Sequence, residues 1–220
     1  MEYKDLKNIR YADAWKFQQE LFTDNIERKN DHLPTSNTLI FCEHPHTITI
    51  GKNGHDENML FDKSYLTQRG IDLFHIDRGG DITYHGPGQL LGYPIFDLEH
   101  YKIGIRQYIH NLEEIIIRLL ASYNIAGQRL DGAAGVWLDT ETPHLTRKIC
   151  AFGVRCSRYI TMHGFALNVN TDLSLFSLIN PCGFVDKGVT SMQKELGYEL
   201  DMDEIKNRTR ALFEETFPNP

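Results

Sequence analysis

The chain has 220 residues, 41% of them apolar and 24% charged, with a formal net charge of −7. That balance is typical of a globular protein large enough to bury a core without disulfide or metal staples. It speaks against a nucleic-acid binder, which needs a Lys/Arg stripe, and no apolar run approaches the roughly 18 residues of a membrane span.

Along the chain, Tyr11, Trp15, Phe22 and Ile26 stand at helical spacing and predict an amphipathic helix over 11–26. No apolar segment follows the charges of MEYKDLKNIRYADAW, so a secretory signal is not expected there. ERKNDHLPTSN (27–37) reads as a polar loop. TLIFC (38–42) and TITIG (47–51) are β-branched runs separated by EHPH and predict two strands joined by a turn. A polar stretch from Lys52 to Asp62 precedes three more strands, IDLFHID (71–77), ITYH (82–85) and QLLGYPIFDL (89–98).

The clearest helix covers 103–124, where Ile105, Tyr108, Ile109, Leu112, Ile116, Leu119 and Tyr123 form one stripe. GAAGVWLD, KICAFGVRCS and YITMHGFALNVN predict three strands across 132–170. A short helical piece, DLSLFSLI (172–179), and helices over 190–197 and 201–217 complete the chain. No Pro/Ser/Gly linker or internal repeat divides the series. The expectation is therefore one domain over 1–220, of mixed α+β class, with helices flanking an antiparallel-rich sheet.

Four cysteines, Cys42, Cys150, Cys156 and Cys182, lie far apart with no C-x-x-C pair, which suits free thiols in a reduced cytoplasm. The first three sit inside strand patterns, where a cysteine usually serves as a small buried hydrophobe. Cys182 stands between a proline and a glycine in NPCG, on irregular backbone that can expose a thiol. The ten histidines show no third and fourth partner at metal-ligand spacing, so each is expected to bond nearby backbone. RGGDITYHGPGQLLG (78–92) holds five glycines in fifteen residues. It reads either as a ligand wall or as two tight turns of a meander. GFVDKGVT (183–190) has valine where a phosphate loop needs lysine, so nucleotide binding through such a loop is not expected. Period-2 alternation in KICAFGVRC puts Lys148 on one face with Cys150, Phe152 and Val154, either at a sheet rim or held in a site.

RGGDITYHGPGQLLGYPIFDL, KICAFGVR and HGFALNVNTDLSLFSLINPCG, in that order, resemble the signature blocks of lipoyl(octanoyl) transferases; EHPHTITIGKN and GVTSM also fit. The resemblance implies an enzyme that moves an octanoyl or lipoyl group from acyl carrier protein to a lysine of lipoyl domains. Those acceptors belong to 2-oxoacid dehydrogenases and to the glycine cleavage H protein. It implies no cofactor and no metal, and the architecture shared by biotin and lipoate protein ligases, a mixed sheet around a ligand tunnel. Position by position, the acyl-accepting cysteine falls on Cys182 and its partner lysine on Lys148. The substrate-lining residues fall on Arg78, Gly79, Gly80, Asp81, Ile82, Thr83, Tyr84 and His85, on Ala151, Phe152 and Gly153, and on Gly164, Phe165 and Ala166 beside His163.

An acyl thioester is already activated, so a transferase needs no nucleotide. Two rivals remain: an ATP-dependent lipoate or biotin ligase on the same fold, using a lysine but no cysteine, and a non-catalytic domain that binds acylated carrier protein.

Overall fold

A computed structural model describes residues 1–180 and 187–218. Two sheets organise it. The larger has eight strands: β1 (Glu2–Asn8), β2 (Thr38–Glu43), β6 (Gln89–Ile95), β10 (Ile160–Asn168), β9 (Arg147–Ser157), β8 (Ala133–Leu138) and β7 (Gln128–Leu130) in spatial order, with β11 (Gly188–Val189) paired to β9. The smaller places β3 (Thr47–Ile50) between β4 (Asp72–His75) and β5 (Ile82–His85). The pairs β1–β2, β3–β4 and β9–β11 are parallel and the others antiparallel. This is the mixed, antiparallel-rich α+β arrangement expected. Among the described residues no helix is long and apolar enough to cross a membrane.

The helices divide between the two faces of the large sheet. On one face lie α3 (Ile105–Ala121) and α5 (Met202–Thr216), whose Leu112, Ile116, Leu119, Ile205 and Phe213 join Leu39, Phe41, Leu90, Val136 and Leu167 of the strands in the main core. Each such side chain contributes about 1.5–3 kcal/mol by leaving water. The other face carries α1 (Tyr11–Asn30), with Phe22 against Ile40, Leu91 and Met162. A third cluster, including Ile48, Ile50, Ile82 and Tyr84, fills the small sheet and receives Leu66 of α2 (Lys63–Gln68) and Leu178 from a 3-10 turn. Local caps set the ends of the last two helices. Ser191 accepts from Lys194 N at 3.2 Å before α4 (Met192–Leu196), and Asp201 accepts from Asp203 N at 2.8 Å before α5. A cap of this kind is worth about 1 kcal/mol.

Several expectations need correction. β2 and β3 are the two turn-joined strands expected, yet they do not pair: each is a central strand of a different sheet, both of its edges taken by other strands. α1 runs on to Asn30, into the first four residues of the segment expected as a loop, because its polar end has partners, while 31–37 form the loop expected. Asn25 exchanges hydrogen bonds with the backbone of Ser36 at 2.9 and 3.0 Å, and Lys29 Nζ reaches Asp97 at 2.8 Å. The unforeseen strands β1, β7 and β11 are half-exposed or very short and so carry no apolar alternation. Cys42 and Cys150 are buried as expected, whereas Cys156, near the end of β9, is exposed.

Candidate active site

A cavity of about 530 Å³ opens where the glycine-rich stretch of the small sheet meets β9 and β10 of the large one. Arg78, Gly79, Gly80, Asp81, Ile82, Thr83 and His85 form one wall; Ala151, Phe152, Gly153, His163, Gly164, Phe165 and Ala166 form the adjoining one. Tyr84 is the exception: alternation along β5 turns it into the small-sheet core, where its hydroxyl meets His46 Nδ1 at 2.7 Å. Ile105 and Ile109, from the first turns of α3, extend the apolar lining.

The glycine-rich stretch is thus a wall and not a free meander. Gly79 N donates to Val154 O at 3.0 Å, docking the turn on β9. Gly153 makes that approach possible, since a Cβ there would lie 2.7 Å from Arg78 Cδ and 2.9 Å from Gly79 O. Arg78 is buried, and its guanidinium grips β3: Nη2 donates to Thr49 O at 2.8 Å and to Thr49 Oγ1 at 3.0 Å. From the other side, Asn58 Nδ2 donates to Asp81 Oδ2 at 2.7 Å while Asn58 O accepts Asn180 N at 2.7 Å. The wall and the chain entering the NPCG motif therefore share one anchor.

Lys148 lies on the cavity wall near the start of β9, flanked by Trp137 of β8 and Val189 of β11. Here the sequence alternation fails. Val136 pairs with Cys150 and Trp137 with Lys148, so β9 holds one extra residue, Ile149, and the register shifts. Ile149 and Cys150 both enter the main core with Val136 and Leu138. Lys148 instead shares the side of Trp137, opposite Cys150, and its Nζ sits 4.4 Å from the Trp137 ring centroid.

A buried polar chain ties these parts together. His85 Nδ1 donates to Gln89 Oε1 at 2.9 Å, because the Gln89 amide nitrogen is committed to Asn168 Oδ1 at 2.8 Å. Asn168 Nδ2 then donates to Thr190 O at 3.0 Å, and Thr190 N donates to Lys148 O at 2.9 Å. The Thr190 hydroxyl meets Glu195, which clasps Arg147 at 2.7 and 2.8 Å. Burial, and then neighbouring His44, pushes the His85 imidazole down to about 3, so it acts as a neutral hydrogen-bonding link. At the far end of β10, His163 Nε2 meets Asp77 Oδ1 at 2.9 Å, and Arg155 pairs with the same carboxylate. The hydrogen bond from His163 holds the Asp77 carboxyl below its ordinary value.

Cys182 lies outside the described residues. Phe176 before it and Lys187, Gly188 and Val189 after it line the cavity. Among the described residues no group of three or more His, Cys, Asp or Glu side chains could hold a metal ion.

The family described as the lipoyl protein ligase A/B catalytic domain matches residues 10–214. The chain belongs to that family. An octanoyltransferase of Parabacteroides distasonis is 56% identical over 215 residues, spanning 98% of this chain and 97% of that one. The fold of this lipoyl protein ligase A/B domain also resembles solved ligases. A bipartite lipoate protein ligase from Thermoplasma acidophilum superposes with a TM-score of 0.71 at 18% identity, over 98% of this chain and 82% of that one. A lipoate-protein ligase A bound with ATP gives 0.70 at 18% identity, over 98% and 85%.

Sequence reasoning missed Trp137, Gln89 and Asn168, all on the cavity wall of this family member. A signal existed for the last two: each is an amide at the end of a mostly apolar strand, QLLGYPI and ITMHGFALN, and a polar group buried there must find partners.

Proposed function

We propose that this chain transfers an octanoyl or lipoyl group from acyl carrier protein, through a thioester on Cys182, to a lysine of lipoyl domains. The acceptors in this reading are the lipoyl domains of 2-oxoacid dehydrogenases and the glycine cleavage H protein, and the setting is the cytoplasm. The observation that carries it is the position of Lys148, on the wall of an apolar cavity whose lining also brackets the segment containing Cys182. The near-full-length likeness to a protein named octanoyltransferase supports the same reading.

In the first half, the Cys182 thiolate attacks the donor thioester carbonyl, the carbon–sulfur bond to the carrier breaks, and the departing carrier thiolate takes a proton from the Lys148 ammonium. An ordinary cysteine titrates at about 8.5, so an adjacent cation is needed to supply thiolate at neutral pH. In the second half the acceptor amine, having released one proton to solvent, attacks the Cys182 acyl group. Neutral Lys148 takes a second proton from that nitrogen as the Cys182 thiolate leaves, which restores the starting pair. Exchange of one thioester for another is nearly balanced in free energy and suits a two-step transfer. The cavity is large enough for a medium-length acyl chain, with the small side chains of Ala151 and Ala166 in its lining on β9 and β10.

Intact-protein mass spectrometry after mixing with octanoyl-acyl carrier protein tests the reading. The wild type gains one octanoyl group and Cys182→Ala gains none; an unchanged mass gain in that variant ends the proposal. Formation of an adenylate from free octanoate and ATP without a carrier would point to the ligase chemistry of the structural neighbours.

A further inference from the structure

We infer that Trp137 is a positioning residue for Lys148, holding its side-chain amine as an ammonium at the cavity wall. The inference rests on the transferase reading only for its consequence, since the geometry concerns Lys148 itself. The register sets Trp137 directly opposite Lys148 across β8 and β9, and Nζ lies 4.4 Å from the ring centroid. The negative face of an indole attracts a cation and offers a neutral amine much less, and the effect strengthens where water is thin. The ring is 2% exposed and cannot turn freely, because its Nε1–H donates to Ala133 O at 3.0 Å.

Gly135 completes the arrangement. Its φ of +140° is strained for side chains, and a Cβ there would lie 3.2 Å from Lys148 Cε and 3.2 Å from Trp137 Nε1. Glycine leaves the lane through which the lysine stem reaches the ring. The other charged and titratable groups around this point come from several elements. Glu113 of α3 accepts Gly135 N at 3.2 Å and pairs with Arg129 at 3.1 Å. Within β9, Arg147 is bound to Glu195, and Cys150 lies beyond the extra residue. Lys187 precedes β11 and lines the same cavity. A platform that favours the charged amine supplies the cation that the Cys182 thiolate requires in the resting enzyme. It also favours the proton uptake assigned to Lys148 in the second half.

The test follows the Lys148 amine by NMR in the full chain, using lysine labelled with ¹³C at Cε and assigned with Lys148→Met. Trp137→Leu should lower the Lys148 titration midpoint by about one pH unit, and Trp137→Phe by less, as expected for a weaker ring face. The other lysine resonances should stay in place. A Lys148 midpoint unmoved in Trp137→Leu overturns the inference; if that variant fails to fold, an unmoved midpoint in Trp137→Phe does so. The mass measurement is read alongside. A wild type that forms no acyl-enzyme removes the transferase reading, while the Lys148 titration still decides the role of Trp137.

Discussion

Replacing Gly153 with alanine probes the wall of the cavity without touching either residue of the proposed dyad. The new Cβ would sit 2.7 Å from Arg78 Cδ and 2.9 Å from Gly79 O. Carbon atoms pack comfortably at about 3.5 Å or more, so the wall must retreat by about 0.8 Å. Arg78 has little freedom to yield, being tied to Thr49 by Nε and Nη2, and Gly79 O belongs to backbone that the hydrogen bond to Val154 pulls onto the same strand. Overpacking of this sort costs about 1–3 kcal/mol, and misplacing a substrate-positioning surface by about 1 Å costs up to about a hundredfold in rate. Gly153→Ala should therefore stay folded, unfold at lower urea, and form acyl-enzyme about 10- to 100-fold more slowly. Time-resolved intact mass with octanoyl-acyl carrier protein, paired with urea titration, measures both. Wild-type rate and stability together would refute the idea that the glycine stretch must lie flush on β9.

Acid should destabilise the fold earlier than its carboxylates alone would require. Burial pushes His44 down to about 4, and burial followed by His44 pushes His85 down to about 3. Both folded values lie below the unfolded value of about 6.5, so the unfolded chain binds protons first as pH falls. The penalty is absent above pH 7, starts near 6.5, and reaches about 2 kcal/mol per histidine by pH 5. Urea midpoints at pH 7 and pH 5 should show this loss, with His85→Gln losing less; an equal loss in the variant would contradict it. Asn168→Ala should cost about 1–3 kcal/mol by removing the partner of Thr190 O and leaving Gln89 Nε2 only its 3.3 Å bond to Tyr84 O. It should also slow acyl-enzyme formation, because Thr190 carries the bond to Lys148 O. Wild-type stability and rate in that variant would show that the polar chain holds nothing in place.

Strands that bury β-branched residues were legible because their alternation is written in local sequence, as ITYH of β5 and the run of β10 show. Which sheet each strand joins was not, since β2 and β3 look alike and differ only in distant partners. The candidate site was readable to the extent that motif resemblance carried it: Lys148 and the three lining segments converge on one cavity, apart from Tyr84. The side of the sheet taken by Lys148 was hidden, because one inserted residue in a neighbouring register resets the alternation and leaves no compositional trace. Trp137 was equally hidden, as only the pairing of β8 with β9 makes it a neighbour of the lysine.

The additional residue at Ile149 also bears on how relatives are compared. A protein could carry KICAFG letter for letter and still, if its β9 ran without that kink, aim the lysine toward α3 and the oily interior. Motif identity would survive while the amine left the cavity wall. A changed pairing of β8 with β9 is thus enough to turn the lysine off the cavity wall while every letter of the motif stays in place.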